Sequence, residues 1–199
     1  MGHSEKFLEQ VKGIADRLET PALERIVAGL GALREKGGRL FLLGVGGSAA
    51  NASHAVNDFR KIAGIEAYCC TDNVSELSAR INDEGWESSF AEWLRASRLS
   101  SKDAVFVLSV GGGNPERGVS LNIVAALRYA KEAGAKILGI VGRDGGYTSK
   151  VADHFILVPT ADESLLTFHV ESFQSVLLHL IVSHPSLKRA PAKWEALTR

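Results

Sequence analysis

Two segments rich in glycine and serine carry the clearest chemical signal in this 199-residue chain. The first, Gly44-Val45-Gly46-Gly47-Ser48, directly follows a short apolar run. Glycines let a backbone approach an anion closely, and a serine entering a helix can cap it and offer a hydroxyl. The second, Ser109-Val110-Gly111-Gly112-Gly113-Asn114-Pro115, also follows an apolar run and leads to Ser120. Either loop alone is also an ordinary strand-to-helix turn. Two at the same end of a sheet would set amides and hydroxyls on both sides of a phosphate. Gly46, Gly47, Ser48, Ser109, Gly111, Gly112, Gly113 and Ser120 are therefore the candidate phosphate-binding residues. The loop after the fourth apolar run, Gly142-Arg143-Asp144-Gly145-Gly146, offers Arg143 to a phosphate, whereas Asp144 before two glycines is ordinary turn chemistry. Ala49 after Ser48 breaks the GxGxxG fingerprint, and the Walker lysine is missing, so no nucleotide cofactor is expected.

The elements that must position these loops follow from periodicity. Phe7, Val11, Ile14 and Leu18 have helical spacing over residues 4–17. Thr20-Pro21 reads as an N-cap and first-turn proline, and the helix it opens ends at Gly37-Gly38. Five short apolar runs follow: Arg39–Gly44, Ile65–Cys70, Ala104–Ser109, Lys136–Gly142 and His154–Pro159. Runs of this kind fit strands covered on both faces. Helical stretches at 48–62, about 86–97, 119–133 and 162–183 alternate with them, which predicts right-handed crossovers and a parallel sheet. The expected fold is α/β: a five-stranded doubly wound sheet between helical layers, preceded by two helices. The expected divisions are a helical extension at 1–38, a ligand-binding domain at 39–184 and a loosely attached tail at 185–199. Ligands of such sheets collect at the carboxyl ends of the strands, where the glycine loops fall.

Composition narrows the classes. Basic and acidic residues balance at 23 each, which leaves no electrostatic footprint for nucleic acid or an anionic membrane. The adjacent Cys69 and Cys70 read as buried, reduced strand residues. The polar N-terminal segment does not read as a signal peptide, and Lys6 stands where a myristoylation site needs Ser or Thr. No apolar run approaches the roughly 18 residues of a membrane span. The expectation is a soluble cytoplasmic protein with no nucleic-acid or membrane partner.

Taken in order, GGSAANASHAVNDF, TDNVSELSARINDEG, the loop from Ser109 and GRDGG make the chain resemble the phosphoheptose isomerases over about residues 5–184. These sugar isomerase (SIS) domain enzymes interconvert sedoheptulose 7-phosphate and a heptose 7-phosphate. The resemblance implies a flavodoxin-like three-layer fold and an aldose–ketose isomerase with a phosphorylated sugar as substrate. It also implies a homo-oligomer, usually a tetramer with sites between subunits. The family includes a non-enzymatic relative that binds a replication initiator. A non-catalytic module that binds a sugar phosphate or a protein is therefore the rival reading, and an isomerase of a pentulose or hexulose phosphate is a third.

The resemblance also implies site residues. The family's His and Glu, four apart on the helix after the first loop, fall on His54 and Asp58, a shortened carboxylate. On the last helix two registers fit. One aligns His169 with a family histidine and puts Gln174 at the catalytic position. The other, which we prefer, aligns Glu171 with a family Gln and His179 with the catalytic His. His54, Asp58, Glu171 and His179 then form a candidate zinc-binding set, because some family members hold zinc at these positions. Asp58 and His179 are the candidate acid/base pair, and Glu171, Asn82 and Asp83 the candidate partners of sugar hydroxyls. The third loop departs from the family's Ser-Thr-Ser-Gly-Asn-Ser, because Val110 and glycines replace hydroxyls and the loop is longer. Within it, Arg117 is a further candidate source of charge.

Overall fold

Alternation along the five apolar runs builds one sheet in the computed structural model of the chain, which describes residues 2–197. Its strands are β1 (Leu40–Leu43), β2 (Ala67–Cys69), β3 (Ala104–Ser109), β4 (Lys136–Val141) and β5 (His154–Leu157). All pair in parallel, in the order β2-β1-β3-β4-β5. This flavodoxin-like order reverses its direction of growth between β1 and β3, and the crevice for a ligand opens at that switch. The loops following β1 and β3, which carry the two glycine/serine signals, therefore lie side by side.

Both faces of the sheet are covered. Leu40, Leu42, Phe106, Leu108, Leu138 and Ile140 point to one core, and Phe41, Leu43, Val105, Val107 and Ile137 to the other. The first core is closed by α2 (Thr20–Glu35), α3 (Gly47–Lys61) and α8 (Leu166–Ser183), with Ile14 of α1 (His3–Asp16) also buried in it. On the opposite face lie α5 (Ser89–Ala96), α6 (Leu121–Glu132) and α7 (Gly146–Val151).

Several boundaries depart from the sequence expectation. Thr20 is the first helical residue of α2 rather than its cap; Glu19 holds the cap position and Pro21 lies in the first turn. Ser48 lies inside α3, whose cap position is Gly46 at φ 61°, and its side chain makes no capping bond. Cys70 falls just past the end of β2, and both cysteines are buried and free. An additional helix, α4 (Val74–Glu84), follows β2; Asn73 caps it by accepting from the Glu76 amide at 3.2 Å. None of its residues is fully buried; of the apolar Val74, Leu77 and Ile81 at helical spacing, only Leu77 packs, half-buried, against the second core. The short α7 is likewise additional, as is α9 (Lys193–Leu197) in the expected tail, whose Thr198 and Arg199 lie outside the described residues.

A 3-10 turn (Glu163–Leu165) leads into α8, and Glu163–Ser183 is long and apolar enough to cross a membrane, with mean hydropathy 1.4. This corrects the expectation that no such run exists. Val170, Phe173, Leu177, Leu178 and Ile181 of α8 are buried in the first core, the burial of a soluble domain's core helix.

Candidate active site

α3 and α8 pack side by side, and their seam brings together three residues distant in sequence. His54 and Asp58 are one turn apart on α3, and His179 projects from α8 opposite them. His54 Nε2 lies 3.1 Å from His179 Nε2, and the two rings meet edge to face at 85°. Asp58 Oδ2 lies 3.3 Å from His54 Nε2 and 3.5 Å from His179 Nε2. Its other oxygen, Oδ1, accepts from Asn57 Nδ2 at 3.0 Å, which orients the carboxylate toward the imidazoles. Asp58 is nearly buried, whereas both histidine side chains are 55 % exposed, so the group opens to solvent over a fixed carboxylate floor.

The three donor atoms lie within 4.8 Å of one another. Two imidazole nitrogens and one carboxylate oxygen suit zinc, and three protein ligands leave a fourth position open to water or substrate. Glu171 does not join them. Eight residues along α8 carry it about 12 Å from His179, and its carboxylate sits against Gly47, where a Cβ would run into it. Asn51 ties the two helices together at that end, donating to the Glu171 carbonyl at 2.8 Å and to Gln174 Oε1 at 3.1 Å. Gly47, Asn51, Glu171 and Ser175 line a groove of about 800 Å³ along the seam.

Where the β1 and β3 loops meet lies a second depression, a cleft of about 370 Å³ lined by Ser48, Ser109, Gly111, Ser120, Arg143 and Thr167 with apolar neighbours such as Val45 and Val119. Ser48 is 2 % exposed. Its hydroxyl has no hydrogen-bond partner among the described residues. Ser109 Oγ accepts from the Gly112 amide at 3.0 Å, which leaves its own proton free to donate.

The glycines of the third loop do different work from that expected. Gly112 and Gly113 are buried, and their carbonyls accept from the Thr148 and Tyr147 amides at 2.9 and 2.8 Å. A Cβ on Gly112 would meet the Gly145 carbonyl, and one on Gly146 the carbonyls of Gly111 and Gly113. These glycines let two loops close on each other, and the Gly112 amide is taken by Ser109. Of the three, Gly111 lines the cleft.

The remaining candidates lie elsewhere. Asn82 and Asp83 are exposed in the last turn of α4 and bond to each other at 2.8 Å. Arg117 sits at the exposed tip of a small hairpin closed by Asn114 and Val119, and Arg143, not Arg117, lines the cleft. His169 is buried, stacked on Phe7 at 4.4 Å and bonded to Gln10 Oε1 at 2.9 Å. Burial holds its imidazole below the usual histidine range, with the Asp162 charge opposing. Asp144 accepts from the Gly146 amide at 3.1 Å, as a turn residue does. Thr167 and Asn57, both outside the expected set, have no local motif that announces them; only the approach of α8 and the carboxylate of Asp58 give them a part.

A match to the SIS domain covers residues 6–142. This chain belongs to the SIS-domain family. The matched segment of the SIS domain carries both glycine/serine loops, His54 and Asp58; His179 lies beyond it, placed beside them by the tertiary structure. Among its relatives, the chain is 35% identical over 158 residues to the lincomycin biosynthesis protein LmbN of Streptomyces lincolnensis, covering 74% of this chain and 54% of that protein. It is 32% identical over 155 residues to phosphoheptose isomerase 1 of Campylobacter jejuni, covering 74% of this chain and 76% of that one. The SIS fold also superposes on the phosphoheptose isomerase of Neisseria gonorrhoeae with a TM-score of 0.77, at 23% identity, over 90% of this chain and 94% of that one.

Proposed function

We propose that this chain is an aldose–ketose isomerase of a sugar phosphate, converting sedoheptulose 7-phosphate to D-glycero-D-manno-heptose 7-phosphate through an enediol. The observation that carries the reading is the meeting of His54, Asp58 and His179 on the α3–α8 seam, in a chain similar to phosphoheptose isomerases.

The reaction needs a base to take the C1 proton and an acid to protonate the C2 carbonyl oxygen, and then loss of the O1 proton as a proton returns to C2. His179 and Asp58 supply that pair: an imidazole open to substrate, held against a fixed carboxylate. His54 presents a second imidazole to the same space. Zinc held by His54, Asp58 and His179 would be the alternative to that pair: it would supply a Lewis acid for the carbonyl oxygen, and its ligands would then not serve as acid and base. At the other end of the seam Glu171 offers an acceptor to sugar hydroxyls. The cleft of Ser48, Ser109 and Ser120 takes the phosphate, remote from the reacting carbons.

The seam is bordered by apolar residues with no cover: Phe168, Val176 and Leu180 of α8 are 60 %, 54 % and 40 % exposed. We infer that further copies of the chain close over this face, most simply as a homotetramer, and sedimentation velocity would show the assembly.

The deciding experiment incubates the purified protein with sedoheptulose 7-phosphate, with and without zinc, and follows the aldose product. Turnover that disappears in His179→Ala is expected. A wild type that binds the ketose without converting it would replace this reading with that of a sugar-phosphate-binding module, and unchanged turnover in His179→Ala would remove His179 from the chemistry.

A further inference from the structure

We propose that Arg143 is the residue that charges the phosphate cleft, supplying by its guanidinium what this chain's third loop lacks in hydroxyls. The inference rests on the reading of that cleft as the phosphate site and goes beyond it by naming the determinant of anion binding.

Four observations carry it. Arg143 is the only charged residue among those lining the cleft, and no carboxylate lies within ion-pair distance of it among the described residues. Ser48 and Ser109, 2 % and 7 % exposed, face the same space, and the Ser48 hydroxyl is unpartnered there. Arg143 also holds a left-handed backbone at φ 53°, which an ordinary side chain adopts at a cost. Finally, the turn that bears it is locked to the third loop. The Gly142 amide donates to Val110 O at 3.1 Å, and the Thr148 amide and hydroxyl both donate to Gly112 O, at 2.9 and 2.8 Å. The base of Arg143 is thus held at a fixed place beside the β3 loop.

An arginine fork binds a phosphate monoester bidentately, and Lys does so only as a point charge. At this cleft the loop positions Val110, Gly112 and Gly113 bring no hydroxyl, so charge replaces hydroxyl count. Because the phosphate stays clear of the reacting carbons, Arg143 binds ground state and transition state alike. Its loss should appear in KM and leave kcat nearly unchanged.

The test titrates inorganic phosphate into the full-length wild type, Arg143→Ala, Arg143→Gln and Arg143→Lys by calorimetry, with circular dichroism to verify each fold. The expected result is binding by the wild type, weakened about 10- to 100-fold in the Ala and Gln variants, the range of one charge-assisted contact, and intermediate in Lys. If all four proteins bind phosphate equally, the role of Arg143 is overturned while the phosphate cleft stands. If the wild type does not bind phosphate and substitution of Arg143 leaves KM for the sugar phosphate unchanged, the cleft is not the phosphate site and both readings fall.

Discussion

His54 and His179 stand 125 positions apart in the chain, yet their Nε2 atoms are 3.1 Å apart and both face Asp58 Oδ2. At that separation one ring must donate and the other accept, or both must turn to a shared cation, so neither side chain is free to act alone. Substituting either histidine by alanine should cut isomerase turnover about 10²- to 10⁴-fold, the usual weight of a positioned acid or base. Asp58→Asn, which keeps the shape and removes the charge of a direct ligand, should weaken zinc uptake by more than the about 10- to 100-fold that loss of an outer-shell partner costs. Steady-state kinetics and metal analysis after dialysis would check these in turn.

Gly146 tests the lock between the third- and fourth-strand loops. It combines φ 53° with a position where a Cβ would meet two backbone carbonyls, which cannot swing aside as a side chain can. Gly146→Ala should destabilise the protein by about 2 kcal/mol or more. Gly31→Ala in α2, where a Cβ meets nothing within 4 Å, should stabilise it by about 0.5–1 kcal/mol. Urea midpoints of the two variants should move in opposite directions.

Asp103 anchors the amino end of β3. Burial alone would raise its carboxyl, but hydrogen bonds from the Arg39 side chain and amide and from Ser100 hold it below the usual carboxylate range. A carboxylate with a lowered folded value stabilises the fold above its unfolded value, near 3.9, and loses that contribution as pH falls through the folded one. Asp103→Asn should therefore cost about 2–4 kcal/mol at pH 7, as breaking a buried pair does. The gap from wild type should narrow below about pH 4, which urea unfolding at both pH values would show.

The two thiols should be inert in the native protein. Cys69 and Cys70 are 4 % and 3 % exposed. Burial pushes the Cys70 thiol well up, while the Cys69 thiol is lowered chiefly by its contact with Cys70. A thiol reagent at neutral pH should label neither until denaturant is added, and both thereafter. Labelling of the native protein would mean that β2 opens at the sheet edge.

Much of this architecture was legible because its cause is local. Leu40 to Leu43 and Ala104 to Ser109 are short apolar runs bounded by turn residues, and no other element buries both faces of so few residues. The glycine loops were legible for the same reason, since a close backbone approach needs glycine wherever it occurs. The partner of each glycine was not. Gly112 and Gly113 look like an anion cradle in sequence, but in the fold they meet Gly145, Tyr147 and Thr148. Helix α4 was not expected, although Val74, Leu77 and Ile81 recur at helical spacing, because that stripe is only three residues among polar ones and just Leu77 of it packs on the core.

Sequence alone determined the class of sheet, the loops that end its first and third strands, and the i, i+4 pairing of His54 with Asp58, because each depends on neighbours within a few residues. Only the tertiary structure decided that His179 rather than His169 stands beside that pair, that Glu171 belongs to the Gly47 end, and that Arg143 rather than Arg117 faces the cleft. Those outcomes turn on how α8 lies along α3 and how two loops close on each other. Such packing is set by the summed fit of many side chains, which no spacing within one segment records.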